Sequence, residues 1–300
     1  MPGGRVLVVG GGTMGRGIAG LCALSGYTTS LFESESAARE GLRGSIEGSW
    51  NRAVERGKFP RGDAEAARGR LSIGLSLEEG AALAQTVLEA IPESLEAKQV
   101  LFAELDRLCP PDALLASNTS SLSIGKIASA TNRPERVVGI HFFNPVAAMP
   151  LVEIVRSKET SPEAEKRAVA FAESLGKQTI RVSDSPGFAT SRLGVALGLE
   201  AMRMVEEGVA SAEDIDRAME LGYGHRMGPL KTSDLVGLDV RLSIAEALSS
   251  ELDPSRFGPP PLLRRMVAAG RTGKKAGEGF YRWEGDTAVA ARAAAEREKP

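Results

Sequence analysis

The chain has 300 residues, 42% of them hydrophobic and 25% charged, which is the balance of a globular protein of roughly two domains. Its 37 basic and 39 acidic side chains give a formal charge of −2, and the lack of a basic excess argues against a nucleic-acid partner. The two cysteines, Cys22 and Cys109, lie far apart and outside any CxxC pair. This disfavours a disulfide framework, predicts no metal site and suits a reducing cytoplasm.

The first part of the chain alternates between apolar runs and helical stretches. Val6–Val9 is an apolar run ending in glycines, a pattern typical of a buried parallel strand and too short for a signal peptide. Further strands are predicted at Thr28–Phe32, near Ile73, and at Thr86–Ile91, Ala113–Ala116, Val137–Phe143, Leu151–Val155 and Thr179–Val182. Helices are predicted at Thr13–Ser25, Ser34–Lys58, Ser94–Leu108 and Pro162–Leu175. The alternation predicts an α/β domain with a Rossmann-like, doubly wound parallel sheet.

The character of the chain changes at Asp184, after which no strand is predicted. Ser191–Glu207 has apolar residues at helical spacing, and Ser211 followed by Asp214 resembles a capping box. We therefore predict a domain boundary near Ser183, with residues 1–183 forming a nucleotide-binding domain and residues 184–300 an all-α domain. The alanine-rich tail after Gly285 is expected to be a frayed helix or disordered. No apolar run reaches the ~20 residues of a membrane-spanning helix, so no membrane partner is expected.

A glycine-rich loop follows the first strand and opens the first helix. It matches G-x-G-x-x-G, the motif that brings a dinucleotide pyrophosphate to a helix N-terminus. The expected cofactor contacts are Gly10, Gly12, Thr13, Met14 and Gly15. Glu33 ends the second strand, where a carboxylate binds ribose hydroxyls and repels a 2′-phosphate. The pattern predicts NAD rather than NADP, although the nearby Arg39 leaves NADP open.

One of the two histidines, His141, lies at the end of an apolar run in the segment Gly139–Pro145. Histidine suits general-base work because its pKa lies near physiological pH, and a base of this kind needs an orienting partner. Glu153 interrupts the apolar run Leu151–Val155, and a buried acid is costly unless it is paired. The two residues are therefore a candidate catalytic pair. A structural histidine and an acid on an edge strand remain the alternative from these residues alone.

Several sequence blocks together resemble the L-3-hydroxyacyl-CoA dehydrogenase family, and within it the short bacterial 3-hydroxybutyryl-CoA dehydrogenases. They occur in the family's order and spacing over nearly the whole chain. The blocks are GGGTMG at 10–15, SNTSSL at 117–122, HFFNP at 141–145, LVE at 151–153, DSPGF at 184–188 and GKKAGEGFY at 273–281. The HFFNP and LVE blocks are far more specific than the glycine motif.

The resemblance implies catalytic and cofactor-binding roles for several polar residues. His141 would take the proton of the substrate 3-hydroxyl, Glu153 would hold its ring, and Ser120 would hydrogen-bond the reacting oxygen. Further NAD contacts would fall on Glu93, Lys98, Asn118, Asn144 and Lys275. A solvated turn at Ser120 and a plain helix-start ion pair between Glu93 and Lys98 remain the alternatives.

The resemblance also implies where the substrate binds. After the DSPGF block the family has an Asn that touches the substrate, and Ser191 stands at that position here. Acyl-CoA contacts would fall on Ser49 and Arg56, which share a helix face with Arg52. A solvated charged face is the alternative for these residues.

These observations predict an enzyme that oxidises a short L-3-hydroxyacyl-CoA to the 3-oxoacyl-CoA with NAD, as a homodimer paired through its helical domain. One rival is a dehydrogenase of a free hydroxy acid or sugar acid, such as the L-gulonate dehydrogenases, which lack the Phe-Phe after the histidine. The other rival is an inactive NAD-binding protein. The His141–Glu153 pair argues against the second rival.

Overall fold

A computed structural model describes residues 3–74 and 76–290. The chain divides into two compact units, with the division between Ser185 and Pro186. No helix of the described residues is long and apolar enough to cross a membrane.

The first unit is built on one eight-stranded sheet. Its strands are β1 (Arg5–Val9), β2 (Thr28–Phe32), β3 (Leu71–Gly74), β4 (Thr86–Glu89), β5 (Leu114–Ser117), β6 (Val137–Phe142), β7 (Leu151–Arg156) and β8 (Gln178–Ser183). Their order in the sheet is β3-β2-β1-β4-β5-β6-β7-β8, and all neighbouring strands are parallel except β6 and β7. Strands β5 and β6 are buried along their whole length, which explains their continuous apolar sequences. The predicted doubly wound sheet is confirmed, with one antiparallel pair added.

Helices connect the strands of this sheet. They are α1 (Thr13–Leu24), α2 (Ser36–Arg39), α3 (Leu42–Glu55), α4 (Arg61–Arg70), α5 (Leu77–Ala81), α6 (Leu95–Leu108), α7 (Ile124–Ala128) and α8 (Pro162–Ser174). The prediction of a single helix over Ser34–Lys58 is wrong. Gly41 has a left-handed φ of 78° between α2 and α3, and such a residue interrupts a right-handed helix.

The second unit is mainly helical. Its helices are α9 (Thr190–Glu206), α10 (Ala212–Tyr223), α11 (Pro229–Val236), α12 (Leu238–Glu251), α13 (Pro254–Phe257) and α14 (Pro261–Ala268). The predicted cap of α10 is confirmed, because the Ser211 hydroxyl accepts a hydrogen bond from Asp214 N at 3.1 Å.

A hairpin follows the helices of the second unit, so the prediction of no strand after Asp184 is wrong. Strand β9 (Tyr281–Glu284) pairs antiparallel with β10 (Thr287–Ala290). The side chains of β9 alternate between buried and exposed, which is the period-two pattern of a half-buried strand. The expected frayed or disordered tail therefore does not begin at Gly285, and residues 291–300 lie outside the described residues.

Two buried aspartates join the helices of the second unit to its hairpin. Asp216 accepts hydrogen bonds from the N–H groups of Leu230 and Lys231 in the first turn of α11, and from the Tyr281 hydroxyl. Asp234 accepts from the N–H groups of Phe280 and Tyr281 and from the Trp283 indole. These bonds satisfy backbone donors that would otherwise be buried without partners.

Candidate active site

The antiparallel pairing of β6 with β7 sets His141 directly opposite Glu153. His141 Nδ1 lies 2.7 Å from Glu153 Oε2, and the two residues are 6% and 0% exposed. The expected hydrogen bond between these side chains is therefore present. A buried acid on an apolar strand is tolerated here because its partner lies across the ladder.

The hydrogen bond between His141 and Glu153 determines which ring nitrogen of the neutral histidine carries the proton. A carboxylate can only accept a hydrogen bond, so Glu153 places the proton of the neutral ring on Nδ1 and leaves the lone pair on Nε2. The Phe143 ring packs against the imidazole with centroids 4.5 Å apart. This arrangement produces an oriented base whose protonated form is stabilised by an adjacent carboxylate.

The glycine loop has the geometry that a dinucleotide requires. Gly10 has a φ of 106°, and a Cβ on it would meet Ala90 O at 2.6 Å. A Cβ on Gly15 would meet Gly10 O at 1.7 Å, whereas a Cβ on Gly12 would meet nothing within 4 Å. The outer glycines are therefore required by the close packing of the loop, and the middle one leaves open space beside the N-terminus of α1. These residues fit a pyrophosphate bound by helix N–H groups.

Glu33 follows β2 and is tied to the same loop. Its carboxylate accepts hydrogen bonds from Gly11 N at 2.8 Å and from Glu35 N at 3.2 Å. Burial alone would raise the pKa of Glu33, but these bonds and one from Ser34 hold it below its ordinary value. Glu33 therefore presents a negative charge at the carboxyl end of β2, where ribose hydroxyls bind in this fold.

Three charged side chains lie at and after the end of β4, the strand that pairs with β1 where the strand order of the sheet reverses. Lys98 is 1% exposed and forms ion pairs with Glu89 at 2.5 Å and Glu93 at 3.4 Å. Glu89, at 0% exposure, also accepts hydrogen bonds from Ser117 Oγ and Ile91 N. The ion pair expected as an alternative between Glu93 and Lys98 is present, and Lys98 is more deeply buried than a surface helix start would require.

The sequence interpretation missed Glu89. Its signal was an acid ending the apolar run Thr86–Glu89, the same pattern that drew attention to Glu153. Its partner Lys98 is separated from it by a loop, so only the folded structure brings the two together.

Glu93 holds the loop that contains Ser120. Its Oε1 atom accepts hydrogen bonds from Thr119 Oγ1 at 2.6 Å and from Ser120 N at 3.1 Å, with Ser120 Oγ at 3.4 Å. Asn118 Oδ1 accepts from Phe142 N at 2.9 Å, next to His141. Hydrogen bonds thus link the Ser120 loop to β6, while Asn144 lies exposed in the following loop.

The remaining predicted residues lie on α3 and in the second unit. Ser49 and Arg56 are exposed on α3 and at its C-cap. Lys275 pairs with Asp239 at 2.6 Å. Ser191 is the second residue of α9, whose N-cap is Ala189, so Ser191 does not cap this helix.

A glycine loop before α1, an acid after β2 and a buried His–Glu pair on neighbouring strands define an enzyme of the dinucleotide-dependent dehydrogenase class. Comparison with family models narrows this class. Residues 5–185 match the NAD-binding domain of 3-hydroxyacyl-CoA dehydrogenase, and residues 187–283 match its C-terminal domain. The chain therefore belongs to the 3-hydroxyacyl-CoA dehydrogenase family.

Individual relatives agree with this assignment over more than nine-tenths of the chain. A probable 3-hydroxybutyryl-CoA dehydrogenase of Bacillus subtilis is 45% identical over 94% of this chain and 98% of the relative. A 3-hydroxybutyryl-CoA dehydrogenase of Mycobacterium tuberculosis is 48% identical over 92% of this chain and 97% of the relative. The crystal structure of an (S)-3-hydroxybutyryl-CoA dehydrogenase from Ralstonia eutropha has a TM-score of 0.89 and 37% identity, covering 94% and 99% of the two chains.

Proposed function

We propose that the protein oxidises the 3-hydroxyl of a short L-3-hydroxyacyl-CoA to the 3-oxoacyl-CoA. The observation that carries the proposal is the buried, hydrogen-bonded pair of His141 and Glu153. The names of the relatives, which are 3-hydroxybutyryl-CoA dehydrogenases at 45% and 48% identity, support the substrate class.

In the proposed reaction, Nε2 of His141 takes the hydroxyl proton as the carbonyl forms at C3. The glycine loop would hold NAD, which would supply the hydride acceptor for the same carbon. Glu153 stabilises the imidazolium, and the Ser120 hydroxyl, positioned by Glu93, hydrogen-bonds the reacting oxygen. In the reverse direction the same imidazolium returns the proton.

We assign the adenosine ribose of NAD to Glu33 and the pyrophosphate to Gly10, Gly12, Thr13, Met14 and Gly15. Glu33 would repel a 2′-phosphate, because its hydrogen bonds with neutral groups leave the negative charge unbalanced. Further cofactor contacts are proposed for Asn118, Asn144, Glu93, Lys98 and Lys275. Lys98 would act mainly by positioning Glu93, since its ammonium group already forms ion pairs with the carboxylates of Glu89 and Glu93.

We assign the CoA portion of the substrate to Ser49, exposed on α3, and Arg56, exposed at its C-cap. The Arg56 guanidinium would bind a phosphate, and the Ser49 hydroxyl, which donates to Ile46 O at 2.6 Å, would turn to bind it as well. Ser191 is proposed to hydrogen-bond the acyl portion. The structural support is its half-buried position in the first turn of α9.

We further propose a cytoplasmic homodimer paired through the second unit. Large apolar side chains are exposed there, with Leu193 at 70% and Leu221 and Tyr223 at 78% each, and a homodimer interface would remove such side chains from water. Replacing Leu193 with Glu should shift the mass measured by light scattering from dimer to monomer. A wild-type protein that is monomeric at micromolar concentration would overturn this part of the proposal.

Reduction of acetoacetyl-CoA tests the reaction directly. NADH should support turnover, and kcat/KM with NADPH should be lower by about tenfold or more, since a charged hydrogen bond contributes ~1.5–3 kcal/mol. Free acetoacetate should not be reduced at a comparable rate. Turnover of the free acid would favour the rival dehydrogenases of hydroxy acids, and no turnover of either would favour an inactive NAD-binding protein.

A further inference from the structure

Lys177 is a buried lysine at the edge of the sheet where the candidate active site lies. It immediately precedes β8, whose first residue pairs with Leu151 at the start of β7. Because β7 runs antiparallel to β6 and parallel to β8, the starts of β7 and β8 lie at the edge where β6 ends. Lys177 is therefore placed at the same edge of the sheet as His141, near the end of β6.

The ammonium group of Lys177 binds the loop between β6 and β7. Lys177 is 7% exposed, and its Nζ atom donates to Val146 O at 2.6 Å and to Met149 O at 2.8 Å. Among the residues that the structure describes, no carboxylate forms an ion pair with it, and burial lowers the pKa of its ammonium. A cation buried without an anionic partner carries a desolvation cost, so general stabilisation is a weak explanation for this lysine.

The loop held in this way packs on the helix that the proposed cofactor site uses. Of residues 144–150 only Val146 is buried, at 4% exposure. A Cβ built on Gly17, in the second turn of α1, would lie 2.8 Å from Val146 Cγ2 and 3.0 Å from Val146 Cβ. The Val146 side chain therefore packs directly on the backbone of α1, and Lys177 binds the carbonyl of the same residue.

Asn144 lies two residues before Val146 and is exposed, so its position depends on how the loop is anchored. We propose that Lys177 is a positioning residue for NAD: by binding Val146 O it fixes the loop against α1 and places Asn144 at the cofactor. This inference rests on the function proposed above and adds to it a residue that acts through another.

The test measures NADH binding by fluorescence titration, together with the kinetics of acetoacetyl-CoA reduction. Lys177→Met keeps much of the side-chain length and removes the donors. Its Kd and KM for NADH should rise about two- to tenfold, the contribution of one net hydrogen bond. The kcat at saturating NADH and its pH profile should match the wild type, because the pairing of β6 with β7 holds His141. Lys177→Arg should retain part of the affinity, since it keeps the charge and the donors.

A double variant tests whether Lys177 acts through Asn144. Asn144→Ala should raise the Kd for NADH by itself, and adding Lys177→Met should have little further effect, since both changes remove one contact. Arg70→Met is the matched control. Arg70 Nε donates to Ala23 O at 2.8 Å near the other end of α1, so this variant also removes a cation bound to a backbone carbonyl, and it should leave the Kd unchanged.

Gly17→Ala reaches the same contact from the helix. The added Cβ would meet Val146 Cγ2 at 2.8 Å, so the loop must move and the Kd for NADH should rise although Lys177 is intact. Should Lys177→Met fail to fold, the Kd of Gly17→Ala decides in its place, and an unchanged value would count against the inference.

An unchanged Kd for NADH in Lys177→Met would overturn the inference, as would a fully additive effect with Asn144→Ala. A lower kcat with an unchanged Kd would also overturn it, because this result indicates only a smaller fraction of folded protein. A wild-type protein that binds NADH without reducing acetoacetyl-CoA would count against the proposed function, while the comparison of Kd values would still test the role of Lys177.

Discussion

The two units of the chain stabilise their buried carboxyl groups with different kinds of hydrogen-bond donor. In the first unit, each buried acid of the described residues has an ionisable partner: Glu89 with Lys98, Asp106 with Arg133, and Glu153 with His141. In the second unit, Asp216 and Asp234 accept only from backbone N–H groups, a tyrosine hydroxyl and an indole.

The difference has consequences for what each group can do. A carboxylate beside an ionisable side chain can stabilise a change of charge, as an acid–base reaction requires. A carboxylate held by neutral donors fixes the position of those donors, and none of the donors changes its charge. We therefore expect substitutions in the His141–Glu153 and Glu89–Lys98 pairs of the candidate site to change chemistry. Substitutions at Asp216 and Asp234, and at Asp106, which is not part of the site, should change stability.

The largest expected effect is the loss of the base. His141→Gln should lower kcat for acetoacetyl-CoA reduction by about 10²–10⁴, while the amide of Gln can still donate to Glu153 and preserve the fold. Steady-state kinetics and thermal unfolding measure the two effects. His225→Gln is the matched control, because His225 is exposed and its replacement should change neither quantity. A large loss of stability in His141→Gln would remove the distinction between the two sets.

Removing the Asp234 carboxylate should lower stability and leave kcat nearly unchanged, the opposite of the result expected for His141→Gln. Asp234→Ala leaves three buried donors without an acceptor, and each costs about 1–3 kcal/mol, so the free energy of unfolding should fall by roughly 3–9 kcal/mol. The kcat of the remaining folded protein should stay near the wild-type value. Chemical denaturation measures the stability, with Glu251→Ala, an exposed acid at the end of α12, as the control. Unchanged stability would show that these bonds do not hold the hairpin.

The pH dependence of stability should differ in sign between Asp106 of the first unit and Asp234 of the second. Burial would raise the pKa of Asp106, but hydrogen bonds from Asn132 and the Arg133 side chain hold it below the ordinary value. Its stabilising contribution is present above the unfolded pKa and is lost as pH falls through the lower folded pKa.

For Asp234, burial outweighs the hydrogen bonds and raises the pKa. The folded state therefore takes up a proton before the unfolded state as pH falls. The stabilising contribution of this group is fully present below the ordinary pKa and is lost as pH rises through the raised folded pKa. Denaturation of Asp106→Asn and Asp234→Asn against the wild type across acidic pH should show difference curves of opposite slope. Parallel curves would contradict the comparison.

The smallest expected effect concerns Ser191, a polar residue of the second unit with a proposed role in chemistry. Ser191→Ala should lower kcat/KM by ~0.5–1.5 kcal/mol, one net hydrogen bond, with no change in melting temperature because Ala189 is the N-cap of α9. Ser250→Ala, an exposed serine of α12, is the control. A lower melting temperature with unchanged kcat/KM would return Ser191 to a purely structural role.

Much of the first unit could be predicted from the sequence because its strands are short apolar runs bounded by turns. The break at Gly41 could not, since the polar stretch around it contains no periodic signal that distinguishes one helix from two. The hairpin was missed because the alanine-rich segment after Gly285 obscured the alternating pattern of Tyr281–Glu284.

The candidate site likewise contains residues that the sequence can locate and contacts that only the folded structure shows. His141 and Glu33 occur at strand ends and Glu153 interrupts an apolar strand, and a sequence pattern can locate both features. The partners of Lys98 depend on which side chains the tertiary structure brings together, and no spacing along the chain encodes this.

The ladder between β6 and β7 has a further consequence for how this protein can vary. His141 faces Glu153 because of strand pairing, so the loop at residues 143–150 does not set their distance. Insertions or deletions in that loop leave the pair aligned, whereas a slip of one residue in either strand turns one side chain to the opposite face of the sheet. Changes in the neighbouring loop therefore leave the distance between His141 and Glu153 unchanged. Asn144 and the residues around it can be replaced, in evolution or by grafting, while the catalytic base keeps its position.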